Sequence, residues 1–188
     1  MGDQSGAYRI GRMSLPDVGE AIDWAAEEGW NPGPNDAACF YAIDPHGFFM
    51  GELDGRMIAS GSVPVYDEAF AFIGLYIVEP AHRGRGYGMA LTRAMLDYAG
   101  ERNVGLDGVE AMAQKYARLG FKTAYRSVRH AFTPMSAKTV AAEIVPLAHV
   151  PFAELAAYDR RHFFASRDKS KDRSALSECN RESFANTA

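Results

Sequence analysis

The chain has 188 residues, of which 20 are basic and 24 acidic, so its formal net charge is −4. This length suffices for one domain with a sizeable core, and 47% hydrophobic with 23% charged residues is ordinary for a globular protein. A dedicated nucleic-acid or membrane-surface binder needs a clustered basic face, which this charge balance disfavours. We therefore expect neither nucleic acid nor a membrane among its partners.

The two cysteines, Cys39 and Cys179, lack metal-ligand spacing and are too few for a disulfide scaffold. A reducing compartment is the default for such a chain. Residues 1–6 lack the basic-then-apolar order of a signal peptide, and the longest strongly apolar run, 69–78, is about half of a membrane span. The sequence predicts a soluble, cytoplasmic protein.

The first third of the chain predicts two helices and a hairpin. After a short strand over 8–13, Ser14 with Asp17 three residues on is typical of a helix start. Gly29 ends that helix, and a second helix covers residues 36–42. Strand-like runs over 47–53 and 56–66 flank Asp54-Gly55, a strong two-residue hairpin signal.

The run over 70–78 is nearly all apolar, as expected of a strand buried on both faces at the centre of a sheet. Four further elements follow it: a helix over 87–99, a strand over 104–109, a helix over 111–119 and a long strand over 121–132. This alternation predicts an α+β, or mixed α/β, fold over residues 1–133.

Beyond Pro134 a strand-like piece over 142–147 precedes an amphipathic helix over 151–164. Residues 167–188 are polar and aperiodic, which predicts a disordered tail. We expect the domain over 1–133 to be followed by a short segment over 134–166 and then this tail.

The most informative segment reads Ile77-Val78-Glu79-Pro80-Ala81-His82-Arg83-Gly84-Arg85-Gly86-Tyr87-Gly88. A buried strand ends at a proline, and three glycines at alternate positions lead into a helix. Glycine lets backbone N–H groups approach an anion closely, and the helix N-terminus adds a favourable dipole. Two arginines supply positive charge. The segment predicts a phosphate-bearing cofactor.

Spacing distinguishes the cofactor classes. A Walker loop ends in Gly-Lys-Ser/Thr, whereas this loop has Gly88-Met89-Ala90, and the dinucleotide pattern G-x-G-x-x-G also fails. The pattern R-x-x-G-x-G, carried by Arg83, Gly86 and Gly88, resembles the coenzyme A-binding motif of the GNAT N-acetyltransferase superfamily. Downstream, the segment Tyr116–Phe121 is similar to the Tyr-x-x-x-Gly-Phe segment that closes the GNAT core.

Three further segments, 28–33, 44–49 and 103–109, resemble YitH-like GNAT proteins, which carry a second, degenerate GNAT-like half. The resemblance covers roughly residues 15–133. It implies a mixed, mostly antiparallel central sheet flanked by helices, and it makes 134–166 an incomplete second half.

The resemblance implies transfer of an acetyl group from acetyl-CoA to a primary amine of a small molecule, by direct attack on the thioester. The splay between the strand ending at Val78 and the one beginning near Val104 would admit the pantetheine arm, and the Val78 amide would stabilise the oxyanion. The implied cofactor-binding residues are Ile77, Val78, Arg83, Gly84, Arg85, Gly86, Tyr87 and Gly88.

The resemblance makes Tyr116 the acid that protonates the leaving thiolate, because a pKa near 10 keeps it protonated at neutral pH; a core tyrosine is the alternative. The central strand has no acid to act as general base, and Glu79 at its exit is expected to be solvated. Asp107 reads as an acid inside an apolar strand, with either a catalytic acceptor-site role or a structural one. Glu28, Trp30 and Asn31 sit where GNAT relatives place an acceptor-binding loop.

Two other functions stay open: a non-catalytic module that holds coenzyme A, and an unrelated nucleotide binder. The five histidines lack the H-x-x-x-H and H-E-x-x-H spacings, so no metal site is expected. The acceptor amine and the acyl chain length are not readable from the sequence, and a homodimer is left open.

Overall fold

The structure is a computed structural model that describes residues 7–128, 130, 144–163 and 165. These residues divide into two compact units: one holds the described residues up to Leu106 and those from Pro151 onward, and the other those within Asp107–Val150. The predicted domain limits at 133/134 and 166/167, and the predicted tail over 167–188, lie outside the described residues and remain predictions.

The first unit contains a sheet of five described strands in the order β1-β2-β3-β4-β5. The strands are β1 (Arg9–Arg12), β2 (Phe48–Leu53), β3 (Arg56–Ser62), β4 (Phe70–Val78) and β5 (Asn103–Leu106). Neighbours from β1 to β4 are antiparallel, and β5 pairs with β4 in parallel. The predicted α+β fold with a mixed, mostly antiparallel sheet is confirmed.

The helices of the described residues are α1 (Leu15–Glu27), α2 (Asp36–Ile43), α3 (Tyr87–Ala99), α4 (Ala113–Arg118) and α5 (Phe152–His162). The predicted start of α1 is confirmed, because the Ser14 N–H donates to Asp17 Oδ2 at 2.7 Å in a capping box. The hairpin between β2 and β3 turns at Asp54 and Gly55, which both have positive φ, at 54° and 78°. Such a turn matches the twist of paired strands.

Helices cover both faces of the sheet. Phe48 packs in a buried cluster with Val18 and Ala21 of α1, whereas Phe49 meets Tyr98 of α3 with ring centroids 5.7 Å apart. Successive side chains of a strand point to opposite faces, so α1 and α3 lie on opposite sides of β2. The buried residues of the sheet lie in β2, β3 and β4, and α1 and α3 both contact β4, as the apolar run of that strand predicts.

A bulge interrupts the pairing of β3 with β4. Ser60 pairs with Ile77 and Ser62 with Gly74, so the single residue between the two serines faces two residues of β4. One of these two, Leu75, has a φ of +48°, which a branched side chain rarely adopts. The buried Ser60 hydroxyl donates to the Leu75 carbonyl at 2.8 Å and so satisfies a group that the bulge displaces.

The predicted long strand over 121–132 is wrong over the residues that the structure describes. Residues 121–128 form no strand, and Tyr125 and Val128 are 62% and 70% exposed. A strand pattern specifies a strand only where a partner pairs with it, because edge N–H and C=O groups otherwise stay with water. The predicted helix over 111–119 is present as a short 3₁₀ turn, Glu110–Met112, followed by α4.

The chain from Ile144 onward also departs from its predicted pattern. Residues 144–146 are irregular, and Leu147–His149 is a 3₁₀ turn after Pro146, so no strand forms in the described part of 142–147. The helix predicted over 151–164 is confirmed as α5. Its predicted apolar positions are only partly buried: Phe152 and Tyr158 are 41% and 56% exposed, whereas Phe163, directly after the helix, packs on Tyr66 and Phe70.

Candidate functional site

The glycine-rich segment connects β4 to α3 through two turns of unusual backbone. After a 3₁₀ turn over Pro80–His82, Gly84 and Gly86 have φ angles of 79° and 87°. Gly86 is the N-cap of α3, and its lack of a side chain leaves the first-turn amides without a side-chain cap. The loop therefore presents helix N–H groups that an anion can reach, which agrees with the predicted phosphate site.

Gly88 has a different reason to be glycine. A Cβ there would lie 2.3 Å from the Tyr76 hydroxyl and 3.1 Å from Val78 Cγ2. The first turn of α3 thus packs directly on the last residues of β4, and this contact places the helix N-terminus at the end of the central strand. Of the three glycines in the segment, Gly84 and Gly86 provide the backbone angles and Gly88 provides the close approach.

A second tyrosine supports the same turn from the N-terminal end of the chain. The Tyr8 hydroxyl donates to the Tyr87 carbonyl at 3.1 Å, and the two rings lie 4.5 Å apart. Burial, together with the neighbouring Tyr76 and Tyr87 hydroxyls, raises the pKa of Tyr8 to about 12. Tyr8 therefore acts as a neutral hydrogen-bond donor that holds the start of α3.

Among the described residues, the edge of β4 that faces β5 is paired only over its first half. β5 pairs with Phe70 to Ile73 and ends at Leu106, so residues Gly74 to Val78 of β4 are not paired with β5. Glu79 donates its N–H to Ile58 of β3 at 2.9 Å. Because backbone groups alternate sides along a strand, the Val78 N–H is directed away from β3, toward this unpaired edge. Pairing thus stops before Val78 because β5 ends at Leu106, and the predicted splay of the two strands remains a prediction.

Arg83 joins two groups of predicted site residues. Its Nε donates to the Val78 carbonyl at 2.7 Å, and its Nη2 forms an ion pair with Glu28. The structure thus brings the predicted acceptor residue Glu28 to the predicted cofactor loop. Arg85 of the same loop is exposed.

Glu79 is held rather than simply solvated. Both of its carboxylate oxygens accept from Arg56, at 2.8 and 2.7 Å, and His82 Nδ1 lies 3.0 Å from Oε2. The expectation that this side chain is only solvated is therefore wrong. An arginine bound through two hydrogen bonds fixes the orientation of the carboxylate and engages one lone pair on each of its oxygens.

The other predicted acceptor residues lie in the loop after α1. The Trp30 N–H donates to the Ala25 carbonyl at 3.0 Å, so the loop begins by folding back on the last turn of the helix. Asn31 has a φ of +52°, a conformation that asparagine tolerates better than most residues. Trp30 is half-buried and Asn31 is exposed.

The two predicted catalytic residues belong to the second unit. Asp107 does not lie in a strand: β5 ends at Leu106, and Asp107 is exposed in an irregular stretch, so the argument from an acid inside an apolar strand is wrong. Tyr116 is half-buried in α4, and the Phe121 N–H donates to its carbonyl at 3.1 Å. Its role as an acid remains a prediction.

Sequence reasoning did not identify Tyr8, Tyr76 or Leu75 as parts of this region. Their contribution comes through contacts between distant elements. The one available signal was Gly88, because a glycine in the first turn of a helix indicates close packing against a neighbouring element.

In the part of the chain that the structure describes, no group of three His, Cys, Asp or Glu side chains has the geometry to hold a metal ion. Among its helices, none combines the length and the apolar character that a bilayer crossing requires.

Comparisons with known proteins agree with the geometry. The family model described as "Acetyltransferase (GNAT) family" matches residues 15–121. A protein named holothin acyltransferase, from Pseudoalteromonas sp. (strain SANK 73390), is 37% identical over 107 residues. The match covers 57% of this chain and 36% of that protein, so the chain aligns with about a third of its relative's length.

Solved structures share the fold. A GNAT-family protein from Xanthomonas campestris pv. campestris has a TM-score of 0.51 at 29% identity, with 69% of this chain and 96% of that one covered. A protein from Clostridium acetobutylicum, predicted to be an acetyltransferase and solved with acetyl-CoA, has a TM-score of 0.54 at 15% identity. The coverage there is 66% of this chain and 96% of that chain.

Proposed function

Because the chain belongs to the acetyltransferase (GNAT) family, we propose that it transfers an acetyl group from acetyl-CoA to a primary amine of a small molecule. One observation carries the proposal: the unpaired edge of β4 ends beside the uncapped N-terminus of α3. An extended, amide-bearing arm can add to a free strand edge, and a diphosphate suits a helix N-terminus. Coenzyme A contains both groups, because its amide-bearing pantetheine arm is attached to a diphosphate.

The open space over the glycine loop supports binding of such a ligand. At Gly84 and Gly86, an added Cβ would meet nothing within 4 Å, so the space over the loop is open to a ligand. The amides from Arg83 to Gly88 would hold the diphosphate, and Ile77 and Val78 would pair with the pantetheine arm. Acetyl-CoA supplies the activated acyl group.

The chain's own contribution to the reaction would be positioning and charge stabilisation. The Val78 N–H is directed toward the unpaired edge, where it can donate to an oxygen that becomes negative as an amine attacks the thioester carbonyl. As the carbon–sulfur bond breaks, Tyr116 would give its proton to the leaving thiolate, and the proton that the attacking nitrogen loses would restore the phenol through solvent. Glu28, Trp30 and Asn31 would contribute to binding the amine. The relative named an acyltransferase supports acyl transfer as the activity class.

The loop is tested by a pair of matched glycine substitutions. Coenzyme A at about 100 times its dissociation constant should stabilise the protein by about 2.7 kcal/mol. Gly86→Asp places a carboxylate at the diphosphate position and should abolish this shift. Gly55→Asp is the control, because Gly55 has a similar φ of 78° and nothing within 4 Å, but lies in the β2–β3 turn. Equal shifts in both variants would contradict the proposed site.

A second candidate function is a coenzyme A-binding module without turnover. The observation that favours it is the ion pair between Arg56 and both carboxylate oxygens of Glu79, which engages the carboxylate nearest to the strand exit in a structural contact. Thiol release from acetyl-CoA with a panel of primary amines separates the two functions. If the chain is an enzyme, thiol release should depend on the amine and should decrease in Tyr116→Phe. If it is a binding module, coenzyme A should stabilise it and no amine should cause thiol release.

A further inference from the structure

The contact between Arg83 and Glu28 links two loops that are far apart in sequence. Arg83 lies in the loop that we propose binds the diphosphate, and Glu28 is the C-cap of α1, directly before the loop over 29–35. The Arg83 side chain also holds the Val78 carbonyl at the end of β4. One guanidinium therefore contacts the central strand and the predicted amine-binding loop at once.

The charges around α1 make this pair more than an incidental surface contact. The C-terminal end of a helix carries a partial negative charge, and a carboxylate there is disfavoured unless a cation lies near it. The last turn of α1 has no basic residue of its own, and Glu28 adds a negative charge to that end. Arg83 supplies the compensating positive charge from the other loop.

Short backbone contacts connect Glu28 to the loop that follows. Its N–H donates to the Trp24 carbonyl at 3.0 Å, and the next two residues, Gly29 and Trp30, donate to Ala26 and Ala25 at 2.9 and 3.0 Å. The position of the Glu28 carboxylate is thus tied to the direction in which residues 29–35 leave the helix.

We propose that Glu28 is a positioning residue that couples binding of the diphosphate at the glycine loop to ordering of residues 29–35. A guanidinium has five N–H donors, and the contacts to Val78 and Glu28 use two of them. An anion on the loop can therefore bind Arg83 while Arg83 holds Glu28. The proposal rests on the proposed function, and because coupling is reciprocal, an occupied amine site would also strengthen coenzyme A binding.

Hydrogen exchange of the loop amides tests the coupling without knowledge of the amine. The wild-type chain, Glu28→Gln and Glu27→Gln are compared with and without coenzyme A. Glu27→Gln is the matched control, since Glu27 is an exposed neighbour with the same charge. The Arg83–Glu28 pair is largely exposed, at 49% and 35%, so both variants are expected to fold, and their melting temperatures check this.

Coenzyme A should slow exchange at residues 29–31 about fivefold or more in the wild-type chain and in Glu27→Gln, the lower end of typical coupling between sites. Glu28→Gln should still bind coenzyme A but lose this protection. If coenzyme A binds and protects all three proteins equally, or protects none, Glu28 does not couple the loops and the proposed function stands. If the wild-type chain does not bind coenzyme A, both proposals fail.

Discussion

Two stretches of the chain differ in how their side chains are held. From Phe70 to Ala99, β4, the glycine loop and α3 alternate buried and exposed positions, with Ala71, Leu91 and Ala99 at 0% exposure. From Asp107 to Val128, every side chain is exposed or half-buried. The first stretch packs against neighbours on both sides of a sheet, whereas the second consists of one short helix and irregular chain.

The difference shows in which part of the described chain packing contacts fix the conformation. In the first stretch, the positive φ of Leu75 lies beside a buried hydrogen bond from the Ser60 hydroxyl to the Leu75 carbonyl. The positive φ angles of Gly84 and Gly86, in contrast, have nothing within 4 Å of a potential Cβ. The same is true of Gly120 at the end of α4, so the two stretches differ in the burial of their side chains and not in the surroundings of their glycines. We therefore expect substitutions to act on stability in the first stretch, and on function alone in the second.

The sharpest test replaces one large side chain in each stretch. Leu91 is fully buried between α3 and the sheet, so Leu91→Ala removes contacts and leaves a cavity, and we expect a loss of about 3 kcal/mol. Val128 is 70% exposed, so Val128→Ala should change the free energy of unfolding by no more than about 0.5 kcal/mol. Chemical denaturation of the two variants measures both values. Similar losses would show that the second stretch is packed as well.

The contact between Gly88 and Tyr76 gives the next largest effect. Gly88→Ala places a methyl group 2.3 Å from the Tyr76 hydroxyl, and overpacking of this kind costs roughly 1–3 kcal/mol. Adding Tyr76→Phe removes the clashing oxygen and should restore part of the loss. A double-mutant cycle by thermal or urea unfolding measures the coupling between the two sites. Additive effects would mean that the helix shifts instead of the tyrosine.

The same comparison explains which features the sequence could predict. The hairpin turn at Asp54, the cap at Ser14 and the R-x-x-G-x-G loop are local patterns, and each is present. The features that were missed depend on distant partners: Tyr8 contacts Tyr87 across 79 residues, and Arg83 contacts Glu28 across 55. The predicted strand over 121–132 failed for the same reason, since a strand pattern contains no information about its partner.

The bulge in β4 should have a smaller effect on stability and a clear one on binding. Ser60→Ala leaves the Leu75 carbonyl without the buried hydroxyl and should cost about 1 kcal/mol. If that hydrogen bond holds the bulge, and the bulge turns β4 away from β5, coenzyme A should also bind more weakly. Ser60→Thr keeps a hydroxyl and is the matched control. Calorimetric titration of both variants decides whether the stabilised bulge belongs to the binding site.

The last effect is absent at neutral pH and appears only in alkali, where a half-buried tyrosine of the packed stretch titrates. Burial, with the hydrogen bond to Asp44, raises the pKa of Tyr98 on α3 to about 12. The folded chain therefore holds this proton more tightly than the unfolded chain, whose tyrosine titrates near 10. The free energy of unfolding is unaffected below about pH 10 and decreases as pH rises from there to about 12. Tyr98→Phe should lose this part of the pH dependence, as unfolding measured across that interval will show. An unchanged slope would mean that the Asp44 contact does not hold the hydroxyl in solution.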